Sequence, residues 1–287
     1  MERRISIKKV IIGLCVLCLL PLMTNAEEIE SYTNSNGVVI PIDVYLDMHK
    51  MFPDVYIESI TQDEYDELED LEIDYDSATT QIKYFKTEIN TVTGNVTNTE
   101  ISELEYMQAG TNNGNEPQAT VIETGYKKVS LSASKAGNGA YAALNAHWKV
   151  MPATRSFDVS AMRFQGATKI NGSQNGKQFY TAGGTSSHVS YTANGTNINN
   201  QSNGFGISMN LVDNATAIDC FISTSLSVSS WPVIVNASYQ HATTNVSLAT
   251  SKSYTLSASG LGSTIAFTGN ISSYYDGMGG VYQYIYN

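Results

Sequence analysis

The sequence predicts a mainly β protein: an antiparallel β-sandwich preceded by a small acidic α+β N-terminal module. Three observations carry that expectation. Beyond about residue 139, apolar residues recur at every second position between turns rich in Asn and Gly. No segment of useful length after residue 111 has helical spacing. The charge is also split along the chain: residues 27–110 carry 20 acids against three lysines, a net of −17, whereas residues 111–287 carry six acids against nine bases, a net of +3.

Residues 1–26 read as a signal peptide. Arg3, Arg4, Lys8 and Lys9 precede the apolar run from Val10 to Met23, which is shorter than the ~20 residues needed to span a bilayer. Thr24-Asn25-Ala26 places small residues for cleavage after Ala26. Arg3-Arg4 has a twin-arginine look, but so apolar a run favours ordinary export. Leu before Cys15 and before Cys18 argues against lipidation. No second apolar run follows, so a secreted chain without a transmembrane anchor is expected. Of its three cysteines only Cys220 would remain, in a strand-like stretch that makes it a buried, inert thiol.

In the acidic module, residues 27–110, Pro41 opens an expected helix with Ile42, Tyr45, Leu46, His49 and Phe52 on one face, and Pro53 closes it. Val55 to Ile57 reads as a short extended link. Thr61-Gln62-Asp63-Glu64 matches a capping box, followed by Tyr65, Leu68 and Leu71 on the buried face of a second helix. Residues 81–90 and 100–107 read as strands flanking a turn at Thr93-Gly94-Asn95. The polar stretch 108–118 is the expected domain boundary. The acidic module is then either a propeptide shielding the β domain or a permanent lobe.

Residues 111–287 form the expected sandwich. Ala142, Leu144, Ala146, Trp148 and Val150 alternate with polar or small residues, as do Phe157 to Ala161, Phe205 to Leu211, Ile222 to Val228 and Val233 to Tyr239. Turn signals at Gly137-Asn138-Gly139, Asn171-Gly172 and Asn194-Gly195 separate them. Strands with one wet face each would stack as antiparallel sheets.

Chemistry-bearing patterns are sparse. The acidic run 63–76 lacks the turn Gly and distal acid of a calcium loop and reads as a solvated helix face. His49, His147, His188 and His241 stand singly, so no metal site and no cofactor is expected. No G-x-S-x-G nucleophile motif occurs, and Ser186, Ser187 and His188 are strand neighbours that point to opposite faces. Six acids over 177 residues offer no marked pair for glycoside cleavage, and the acidic chain disfavours nucleic acid. Eight N-x-S/T sequons accompany an Asn-, Ser- and Thr-rich composition and are read as compositional accidents.

Tyr282, Tyr284 and Tyr286 share one face of a terminal strand. They are the candidate ligand-binding residues, with a half-buried edge seam as the competing reading. The block Trp148-Lys149-Val150-Met151-Pro152-Ala153-Thr154-Arg155-Ser156-Phe157-Asp158 reads as a structural corner, fixed by an Arg155–Asp158 ion pair. This block resembles uncharacterised secreted proteins of Gram-positive bacteria that carry W-x-x-M-P-x-x-R-S-x-D in a β domain after a short acidic region. That resemblance implies location and architecture and transfers no catalytic residue.

The expected function is a non-enzymatic module binding an extracellular protein or glycan. A hydrolase whose site assembles only in the fold is one alternative. A pore-forming β protein using the Ser/Thr-alternating stretch from Thr244 to Ser259 is another.

Overall fold

The period-two alternation becomes two stacked antiparallel sheets in the computed structural model, which describes residues 30–90, 92–110, 122–257 and 264–287. Residues 1–26, read above as a signal peptide, and most of the 108–118 stretch lie outside these residues.

The chain begins with β1 (Ser31–Thr33), β2 (Val39–Pro41), α1 (Ile42–Met48), α2 (Asp54–Ile57) and α3 (Gln62–Asp70). It continues with β3 (Thr79–Asn90), β4 (Val96–Ile101) and α4 (Glu103–Gln108). Then come β5 (Ile122–Ala136), β6 (Gly139–Val150), β7 (Phe157–Gln165), β8 (Ala167–Lys169), β9 (Asn175–Ala182) and β10 (Thr185–Thr192). These lead to β11 (Ile198–Gln201), β12 (Gly204–Asn210), β13 (Ala215–Val228) and β14 (Val233–Gln240). The end holds α5 (Leu248–Ser251), β15 (Tyr254–Leu256), β16 (Ile265–Phe267), a 3-10 helix (Gly269–Tyr274) and β17 (Val281–Ile285).

One sheet has eight strands in the order β10-β9-β13-β6-β5-β3-β4, with β8 also paired to β13. The other has five, β11-β12-β7-β14-β17. Val129, Leu131, Leu144 and Trp148 from the first meet Phe205, Met209, Val235 and Tyr239 from the second, making the central core. Burial of such surfaces is the main favourable contribution to folding.

Strands from the two sides of the expected boundary at 108–118 lie side by side in one sheet. β3 pairs with β5 over twelve positions, from Thr79↔Ala133 to Asn90↔Ile122, so strands of the acidic region extend the main sheet. Alternation places a residue on a face but says nothing of which strand lies beside it.

Part of each sheet's outer face is covered as well, where the sequence led to the expectation of one wet face. Met48, Phe52, Tyr56, Ile57, Tyr65 and Leu68 pack on Tyr141, Ala143, Phe179 and Phe221. On the far side, Tyr254, Leu256, Ile265 and Tyr275 pack on Val159 and Ala161 of β7. The covered outer-phase positions therefore carry small or aromatic residues such as Ala143, Ala161, Tyr141, Phe179 and Phe221, and Lys177 among them is paired with Glu64.

The capping box forms as expected: Glu64 N donates to Thr61 Oγ1 at 3.3 Å, and Thr61 N donates to Glu64 Oε2 at 3.0 Å. Three local readings are corrected. α1 ends at Met48 and leaves Leu46 exposed, because Met48 faces the sheet instead. Pro53 starts α2 where an extended link was expected, its fixed φ suiting a helix entry. The second strand of the β3–β4 hairpin stops at Ile101, because Ser102 accepts from Glu105 N at 3.2 Å and caps α4. In its described part, the stretch from Thr244 to Ser259 is not one continuous strand: α5 interrupts it, capped by Ser247, and β15 is three residues long. No described helix is long and apolar enough to cross a membrane.

Candidate functional site

The expected corner forms, but with different partners. Trp148, near the end of β6, is fully buried, and its Nε1 donates to Tyr239 Oη at 2.7 Å. Tyr239 Oη in turn donates to Asp158 Oδ2, and Cys220 Sγ lies 4.0 Å from the same phenol. Asp158 also accepts from Ala242 N at 2.9 Å, and His241 Nδ1 sits 3.0 Å from each carboxylate oxygen. The Arg155–Asp158 ion pair is therefore corrected. Asp158 turns inward, where Tyr239, His241 and Ala242 engage its oxygens, while Arg155 Nη2 donates to Ala215 O at 3.5 Å.

Electrostatics follow the geometry. Burial pushes the Tyr239 phenol well up, and the Asp158 charge adds to it. Burial likewise pushes the Cys220 thiol up, as expected for an inert core cysteine. Burial pulls the Arg155 guanidinium down, with the nearby Asp158 charge opposing.

Tyr282 and Tyr284 line the outward side of β17, an edge strand of the five-stranded sheet, and Tyr286 follows its end. Val281 and Ile285 of that strand face the core, which leaves the alternate positions to the rings. The rings of Tyr282 and Tyr284 meet edge-on at 5.9 Å, and those of Tyr284 and Tyr286 stack at 6.2 Å. Tyr286 is 66% exposed. The result is a continuous aromatic strip at a sheet edge.

A second constellation was not legible in the sequence. At one end of the eight-stranded sheet a cleft of about 520 Å³ opens between α2 and the outer face. Cross-strand pairing sets His188 beside Phe179, Phe179 beside Asp219 and Asp219 beside His147, one row over β10, β9, β13 and β6. Asp219 accepts from Asn145 Nδ2 at 2.8 Å, and His147 Nδ1 lies 2.9 Å from its other oxygen. That contact fixes the ring and turns Nε2 away from the carboxylate, the arrangement that prepares an imidazole to take a proton. Ser186, Ser187, Asp54 and Glu58 share the lining. His147 and Asp219 are 72 positions apart, so their meeting depends on strand order rather than on any local pattern. Among the described residues no group of three or more His, Cys, Asp or Glu could hold a metal ion.

Neither a family model nor a curated protein matches the chain. Among solved structures, the chain is similar to the enzymatically active domain of tailspike protein 4 from Bacteriophage CBA120. The identity is 12%, the TM-score is 0.24, and the match covers 57% of this chain and 19% of that one. It is also similar to the KRT10-binding region domain of a pneumococcal serine rich repeat protein, at 12% identity and TM-score 0.30, covering 72% and 98%. The third is the collagen adhesin of S. aureus, at 9% identity and TM-score 0.24, covering 56% and 71%. The chain thus spans about a fifth of the first structure's length. Likeness at this level carries no argument, and no residue role is transferred from any of the three.

Proposed function

We propose that the chain is a secreted module that binds an extracellular protein or glycan, with the strip Tyr282, Tyr284 and Tyr286 as its contact surface. The single observation behind this reading is the strip itself: three adjacent rings along the outward side of an edge strand and just past its end. Flat amphipathic rings supply large contact area at low entropic cost and present hydroxyls for hydrogen bonds. The charged leader and apolar run of residues 1–26 support export. The resemblance of the Trp148–Asp158 block to secreted proteins of Gram-positive bacteria supports the same location.

The test is binding of the purified chain to arrayed glycans and to immobilised matrix proteins, repeated with Tyr284→Ala and Tyr286→Ala. Loss of a binding signal at an unchanged melting midpoint supports the strip. A variant that binds as well as the parent removes it.

A second reading rests on the cleft: His147, oriented by Asp219 beside two serines, is arranged as a general base for hydrolysis. Turnover of ester or glycoside substrates that disappears in His147→Ala would favour it over the binding module. Turnover unchanged by that substitution would reject it.

A further inference from the structure

A fully buried lysine–carboxylate pair lies outside both surfaces. β5 alternates so that Val129, Leu131 and Ala133 face the space between the sheets. The same period puts Lys127 inward, and a register shift between Tyr126 and Lys127 in the pairing with β6 marks a bulge there. Asp276 arrives from the other end of the chain, on the segment that leads into β17. Both side chains are 0% exposed, and Lys127 Nζ contacts Asp276 Oδ2.

The surroundings are unusual for a lysine. Its Nζ lies 5.0 Å from the Trp148 ring centroid and 5.7 Å from that of Tyr239. Asp276 is its one hydrogen-bond acceptor in the described structure. The other carboxylate oxygen, Oδ1, accepts from His241 N at 3.1 Å, while Asp276 N donates to His241 O at 3.0 Å. Asp158 anchors this strand end through the His241 ring and Ala242 N. The pair Lys177–Glu64 offers a contrast: it is also close, but the Glu64 side chain is 24% exposed and keeps water within reach. A fully desolvated ion pair is costly, and Lys127 has only one acceptor to offset that cost.

We propose that Lys127 and Asp276 condense into an intramolecular amide, an isopeptide crosslink between β5 and the segment that leads into β17. One proton passes from the Lys127 ammonium to Asp276 Oδ2, giving a neutral amine and a carboxylic acid. The nitrogen lone pair adds to Cγ, and the C–O π pair moves onto Oδ1, where the His241 amide N–H receives the developing charge. A second proton leaves nitrogen for the Oδ2 hydroxyl, the Cγ–Oδ2 bond breaks, and one water departs. The amide keeps one N–H, so atoms and charge balance with no oxidant or activating reagent. Fixed proximity supplies the driving force that free amine and acid lack in water, since well-oriented groups reach effective molarities of about 10⁵–10⁸ M.

The bond joins residues 149 positions apart and closes a loop around most of the sandwich. The experiment is denaturing mass spectrometry of the full purified chain, followed by peptide mapping. The expected result is a chain lighter than its sequence by one water. A branched peptide should hold Lys127 and Asp276, with no tryptic cut after Lys127. Lys127→Arg and Asp276→Ala should both regain the full sequence mass. A parent chain at full mass, with Lys127 open to acetylation in denaturant, overturns the crosslink. So does a missing water confined to a linear peptide at Asp276-Gly277, which would identify a succinimide. The mass and the branched peptide of the parent chain are read on unfolded protein, so they decide the question even where a variant folds poorly.

Discussion

His241 Nδ1 lies 3.0 Å from both carboxylate oxygens of Asp158, and neither side chain is reached by solvent. This contact, rather than an ion pair with Arg155, closes the corner after β6. Asp158 also gathers Tyr239 Oη and Ala242 N, so one carboxylate ties β7 to the end of β14.

Removal of that carboxylate should therefore dominate any substitution at the corner. Asp158→Ala strands three donors in the core and is expected to cost about 3–5 kcal/mol. Arg155→Ala removes a half-buried group with no ion pair among the described residues and should cost under about 1 kcal/mol. Denaturant unfolding of both variants measures the difference. Equal losses would restore Arg155 as a partner in the corner.

Tyr239 is the hub between Trp148 and Asp158. Tyr239→Phe keeps the ring but leaves the indole N–H and one carboxylate oxygen without their shared hydroxyl. Each unsatisfied buried group costs about 1–3 kcal/mol, so the midpoint should fall clearly. Tyr286→Phe, at an exposed ring, should leave the midpoint where it was. Thermal melts of the pair decide the matter, and similar curves would remove the hub.

The acidic region should prove inseparable from the β region. A chain starting at residue 111 loses β3 from its twelve-position pairing with β5. It also loses the residues that cover Tyr141, Phe179 and Phe221. Such a chain is expected to aggregate or to melt without a cooperative transition. Cooperative melting of residues 111–287 alone would show the region to be a dispensable lobe.

Cys220 makes stability depend on alkaline pH. Its thiol is pushed well up in the fold, whereas an unfolded thiol titrates near a pKa of about 8.5. Above that value the unfolded chain gives up a proton that the folded chain keeps. The contribution is thus fully present below the unfolded pKa and is lost as pH rises above it, by at most about 1.4 kcal/mol per pH unit. Unfolding midpoints measured between about pH 8 and 10 should fall less steeply in Cys220→Ala than in the parent. Parallel slopes would place the thiol in contact with solvent.

Much of the fold was legible along the chain because its causes act over a few residues. The Thr61–Glu64 capping box is three positions wide, and the alternation from Ala142 to Val150 needs only the two-sided geometry of a strand. The Gly137 turn, at φ 49°, lies between β5 and β6 for the same reason. Even the inward phase of Lys127 could be read by counting back from Val129, although nothing in the count names its partner.

Partner choice belongs to the tertiary structure. The sequence by itself determined that the alternating stretches are two-sided strands, where the capping box starts α3 and which end of the chain is acidic. The packed sheets decided that β3 lies beside β5, that His147 meets Asp219 and that Asp158 takes His241 instead of Arg155. They also decided that Lys127 meets Asp276. Alternation and capping are settled by neighbouring backbone geometry. Contacts between residues 70 to 150 positions apart depend on which strands bury the most surface together, and that is a property of the whole chain.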